Sequence, residues 1–82
     1  MAKKRYERVN KRTFIEDIVQ KRRPELLPVV HVLGVRQLTS EERDSLREVV
    51  GTELVETGFD MRDKPTARGL LLEDLIDWLG EL

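Results

Sequence analysis

Eighty-two residues with 38% charged and 39% hydrophobic side chains fit one domain, and a chain this short buries only about 60% of the surface its unfolded form exposes, so the core is thin. The lack of cysteine excludes a disulfide framework, a thiolate nucleophile and a thiolate metal site, and it fits a cytoplasmic setting. No apolar run reaches the roughly 20 residues of a membrane span, and no apolar stretch follows the basic start, so neither a signal peptide nor a membrane anchor is expected.

The net charge of -1 conceals two poles: residues 1–23 hold nine Lys/Arg against three Asp/Glu, a net of +6, and residues 24–82 carry the balancing -7. The basic pole begins with "MAKKRYERVNKR", where Tyr6 and Val9 are the apolar groups near the start and cations dominate. That composition predicts a mobile basic arm over residues 1–12, followed by a single helical domain over 13–82. Lys4, Arg5, Arg8, Lys11 and Arg12 are the arm's candidate partner-binding residues. Basic arms of this kind also bind phosphate without sequence preference, so nucleic acid through residues 3–12 is the alternative ligand, with Tyr6 as a stacking ring.

Thr13 and Glu16 have the spacing of a capping box and predict a helix start near Thr13. Phe14, Ile15, Ile18 and Val19 recur at helical spacing, Lys21, Arg22 and Arg23 suit the negative end of the helix dipole, and Pro24 stops the helix. The next segment, "PELLPVVHVLG", reads two ways. Leu26, Val29, Val30 and Leu33 fit one helical face, which favours a short helix capped by Gly34. The β-branched run within 29–33 is the α+β alternative. His31 falls on the Pro28 side of such a helix, away from the apolar face, as a surface imidazole; a contact responsive to pH is the sharper reading.

Thr39 and Glu42 form a second capping-box signature, opening a helix over about Ser40 to Thr57 that ends at Gly58. Leu46, Val49, Val50 and Leu54 make its apolar face. At 100° per residue Glu53 lies about 20° from the azimuth of Leu46, inside that stripe. A carboxylate there needs a partner, and Arg68 is the candidate: near the start of the following helix the dipole disfavours a cation, so an anion is wanted beside it. Glu53 and Arg68 are therefore expected as a structural ion pair. The segment 29–46 has the punctuation of a helix-turn-helix, but its reading residues would be Ser40, Glu41, Glu42, Arg43 and Asp44, and three carboxylates do not approach phosphate well.

A turn-rich connection, "GFDMRDKPTARG", leads to the most amphipathic piece, "LLLEDLIDWLGEL". Leu71, Leu72, Leu75, Trp78, Leu79 and Leu82 form a broad apolar face, with Glu73, Asp77 and Glu81 stacked at i, i+4, i+8 on the other side. Those three carboxylates are the acidic pole's candidate partner-binding residues. They do not surround an ion, and no metal site or cofactor is expected. With one histidine, no phosphate-cradling glycine loop and no metal-ligand spacing, the chain reads as no enzyme.

The sequence thus predicts an all-α fold, a bundle of three or four short helices with a basic N-terminal arm. Its expected core is Phe14, Ile18, Leu26, Val30, Leu46, Val50, Leu54, Leu71, Leu75 and Leu79. The expected function is a small cytoplasmic protein-binding module, a regulator, inhibitor, adaptor or assembly subunit that acts through helical and charged surfaces. Another protein is the expected partner, with no membrane, and self-association stays open.

Overall fold

Asn10 opens the first helix of the computed structural model, which describes residues 10–82. Asn10 Oδ1 accepts hydrogen bonds from the backbone N–H of Arg12 (2.9 Å) and Thr13 (3.2 Å), and α1 runs Lys11–Arg22. The capping box expected at Thr13 and Glu16 is not used. Asparagine caps as well as a hydroxyl does, and extending an existing helix upstream adds a backbone bond for each residue fixed. Lys11 and Arg12, read from the sequence as the end of the arm, therefore form the first turn of α1. Lys4, Arg5 and Arg8, with the expected mobility of the arm, lie outside the described residues.

Pro24–Leu26 form a 3-10 turn that runs directly into α2, Leu27–His31. The short helix is adopted over the strand, for two physical reasons. Pro24 and Pro28 each sit at the first or second position of their element, where a missing N–H costs no helical bond. A strand would also need a partner, and among the described residues the only β pairing is an isolated bridge between Phe59 and Pro65. Gly34 has φ +80°, which lets the N–H groups of Val35 and Arg36 turn back onto the Val32 carbonyl at 3.0 and 3.2 Å.

The second capping box is fully formed: Thr39 Oγ1 accepts from Glu42 N (3.1 Å), Glu42 Oε1 accepts from Thr39 N (2.9 Å), and α3 runs Ser40–Thr57. Thr66 Oγ1 accepts from Gly69 N (3.0 Å) to open α4, Ala67–Glu81. The two helices lie antiparallel: Gly58 meets Gly69 at one end, and Arg47 crosses Gly80 at the other. This hairpin is the main packing unit, and α1 and α2 close its inner side.

At the crossing the backbones of Gly58 and Gly69 touch. A Cβ on Gly69 would run into the carbonyl oxygen of Gly58 and come within 3.1 Å of its Cα, and neither is a flexible group. Gly69→Ala is therefore expected to cost about 1–3 kcal/mol by forcing the helices apart, against a propensity gain of at most about 1 kcal/mol. A urea melt that finds the variant as stable as the parent would rule out this close crossing.

The core is Ile15, Ile18, Val19, Val30, Leu33, Leu38, Leu46, Val49, Val50, Leu72, Leu75 and Leu79. Phe14, Leu26 and Leu54, expected in it, are half-buried at its rim, and Leu71 is half-buried outside it. In α1 and α4 the buried face keeps Ile18, Leu75 and Leu79 but is turned by a fraction of one position, so that Ile15 and Leu72 are buried in place of Phe14 and Leu71. The broad apolar stripe of each helix permits either rotation, and the neighbouring helix selects one.

Candidate functional site

The buried carboxylate is the best-defined polar site. Glu53 is completely buried on α3, and both its oxygens are served. Arg68, from the first turn of α4, donates to Oε2 at 2.6 Å; Arg22 of α1 donates through Nε to Oε1 at 2.5 Å; Lys21 reaches Oε2 at 3.3 Å. Thr57 Oγ1 lies 3.2 Å from Oε2 and itself accepts from Arg68 Nε at 3.2 Å. The guanidinium of Arg68 sits over the Phe14 ring, 5.3 Å from its centre, within cation–π range. Burial alone would raise the carboxyl's pKa, but the hydrogen bonds from Arg68, Arg22 and Lys21 outweigh it and hold the group at about 2. One side chain thus ties α1, α3 and α4 together.

Arg68 does pair with Glu53, as its dipole-opposed position suggested. Sequence reading missed Lys21 and Arg22. Their place at the C-terminal end of α1 had already accounted for them, and only the α1–α3 packing turns them inward. Arg22 also donates to Glu56 at 2.8 Å, which lowers the Glu56 carboxyl and raises Arg22.

Directly beyond this network lies the loop joining α3 to α4, and it is built rather than slack. Asp60 Oδ1 accepts from the N–H groups of Arg62 (2.8 Å) and Lys64 (3.0 Å), Asp60 N donates to Lys64 O (2.9 Å), and Thr66 N donates to Gly58 O (2.8 Å). Asp63 takes φ +62°, a left-handed conformation that aspartate tolerates better than most residues. The Asp60 turn is legible in "FDMRDKP", because aspartate readily bonds its own downstream amides. Pinned this way, the loop leaves Met61 fully exposed and Phe59 part-exposed. Val55 stands one turn before the loop on α3 and Leu70 one turn after it on α4, both mostly exposed. Among the described residues, four of the five exposed large hydrophobic ones therefore lie in this loop or within about one turn of it; Val35 is the other.

The charged candidates are dispersed. Arg12 and Lys11 are both exposed, and Arg12 donates to the His31 carbonyl at 3.1 Å. Glu73, Asp77 and Glu81 are exposed along α4, and among the described residues no ion pair joins them to Lys11 or Arg12. His31 is exposed with Nε2 at 3.5 Å from Glu16. At the start of α3, Arg36 makes a two-pronged contact with Glu42 at 2.9 and 2.8 Å, which together with the Thr39 amide holds that carboxyl at about 2.

Surface clefts of 260 to 320 Å³ flank the bundle. One is lined by Phe14, Asp17, Ile18, Lys21 and Arg68, another by Arg22, Arg23, Glu48, Val49 and Thr52. They fall at the small end of ligand pockets, and their arginines are engaged by Glu53, Glu56 and Glu25. Among the described residues no group of three or more His, Cys, Asp or Glu is gathered as a metal site would require, and no helix is long and apolar enough to cross a membrane. Comparison with known protein families, curated proteins and solved structures returns no match.

Proposed function

We propose that this chain is a non-catalytic, cytoplasmic protein-binding module, used as a regulator, inhibitor, adaptor or assembly subunit, and that its partner docks on the loop end of the α3–α4 hairpin. The observation that carries the reading is that Phe59, Met61 and Leu70 stay exposed at that end, in and beside a loop whose backbone is already hydrogen-bonded. Preorganisation matters because association costs ordering entropy, and a loop fixed in advance spares most of it. Methionine adapts its shape to what it meets, and aromatic, methionine and arginine side chains are enriched in interface cores, so Phe59, Met61 and the adjoining Arg62 suit an anchor. The charged poles then serve steering more than attachment.

The test is affinity capture from the native host with the parent chain, Phe59→Ser and Met61→Ser, each first shown by circular dichroism to keep its helicity. Binding of the specific partner is expected to fall at least five-fold for each variant, about 1 kcal/mol or more in free energy. A partner retained equally by all three chains would move the docking surface elsewhere.

A further inference from the structure

Resting on that docking reading, we propose that the occupant of the hairpin end is a basic amphipathic helical segment. Its large apolar residue sits against Phe59, Met61 and Leu70, and its lysines or arginines follow at three- and four-residue spacing along the outer ridge of α4. From Leu70 that ridge continues through Glu73, Asp74, Asp77 and Glu81, all exposed and within three helical turns, roughly 16 Å. A partner that seats an apolar group at the loop end meets carboxylates at every following turn.

The helix gains nothing from the placement of these carboxylates, and Glu81, in the last turn, opposes its dipole. No acidic residue occupies the first turn of α4, where the dipole would favour it, and no basic residue occupies the last turn. Glu73 and Asp77, and Asp77 and Glu81, also repel each other at i, i+4 spacing. The opposite misplacement in the same helix, Arg68 in the first turn, is answered inside the fold by Glu53 and Thr57. Among the described residues no ion pair answers the acidic ridge. A basic segment would remove both penalties on binding. A second copy presenting the same face would set four carboxylates against four, and a nucleic acid or an anionic lipid surface would add negative charge, so charge complementarity selects a cationic peptide partner.

A display library of random 16-residue peptides, panned against the full chain, tests this. Parallel selections use Met61→Ser and the quadruple variant Glu73→Gln, Asp74→Asn, Asp77→Asn, Glu81→Gln. The enriched peptides are expected to be net positive, with a large apolar residue near one end and Lys or Arg recurring every three or four positions. A synthetic copy of the most enriched one should lose at least ten-fold in affinity on either variant, and its salt dependence should flatten on the quadruple variant. The thermal midpoint of the quadruple variant should equal or exceed that of the parent; a lower one would make the ridge part of the fold's own stability and overturn the proposal. Enriched neutral or acidic peptides that need Met61 but not the carboxylates would overturn the basic occupant and leave the docking reading standing. Peptides that bind both variants as well as the parent would overturn both. A parent dimer, seen by sedimentation, that dissociates on Met61→Ser would make a second copy the occupant, overturning the basic segment and leaving the docking surface standing.

Discussion

Glu53→Ala is expected to destabilise the domain by about 3–5 kcal/mol, the usual consequence of removing one member of a buried ionic network. A domain of this length holds roughly 4–12 kcal/mol in all, so the substitution should remove a quarter or more of its stability. Three cations that converge on one carboxylate would lose it, and Arg22, the most enclosed of them, would keep only Glu56. Arg68→Gln should cost much less, about 1 kcal/mol, because Glu53 keeps Arg22 and Lys21 and the Arg68 side chain is already close to half-exposed. Urea melts at neutral pH decide the point: an Arg68→Gln cost equal to that of Glu53→Ala would mean that the network is not centred on the carboxylate.

The same group sets the acid limb of stability. Held at about 2 in the fold against about 4.5 in the unfolded chain, Glu53 contributes fully above about pH 4.5 and loses its contribution as the pH falls from there to 2. The whole contribution is of order 3 kcal/mol. Glu42, also held at about 2, acts over the same range from a more exposed position. Glu53→Ala should therefore flatten the pH dependence between 4.5 and 2 without abolishing it.

Leu75→Ala is expected to cost about 2–5 kcal/mol. Leu75 is almost entirely buried on α4 within the core that also holds Leu72 and Leu79, and truncating it leaves a cavity that rigid neighbours fill only in part. By contrast, truncating Leu71, one turn earlier and only half-buried, should cost about 1 kcal/mol, in proportion to the smaller area it buries. Equal costs would mean that α4 is rotated from the packing described here.

The all-α architecture, the Thr39–Glu42 cap, the bounds of α3 and the need for an anion beside Arg68 were legible because each depends on residues close in sequence or on helical periodicity. The start of α1 was not, since Asn10 and Thr13 offer competing caps and only the length of helix that packs decides between them. Nor was the core rotation that buries Ile15 and Leu72 in preference to Phe14 and Leu71. Lys21 and Arg22 escaped notice as partners of Glu53 for a related reason: 31 and 32 residues separate them from it, and the pairing exists only once α1 lies against α3. The apolar hairpin end lies between these extremes. Phe59 and Met61 stand out in a polar loop, but that Leu70 lies at the same end follows from the antiparallel pairing of α3 and α4.

Hydrogen–deuterium exchange of the full chain, alone and with its captured partner, tests the docking surface most directly. The amides from Phe59 to Leu70 are expected to gain protection on binding, with little change in α1 or in the turn from Leu33 to Leu38. Protection confined to α1 or to that turn, with Phe59 to Leu70 unchanged, would contradict docking at the hairpin end.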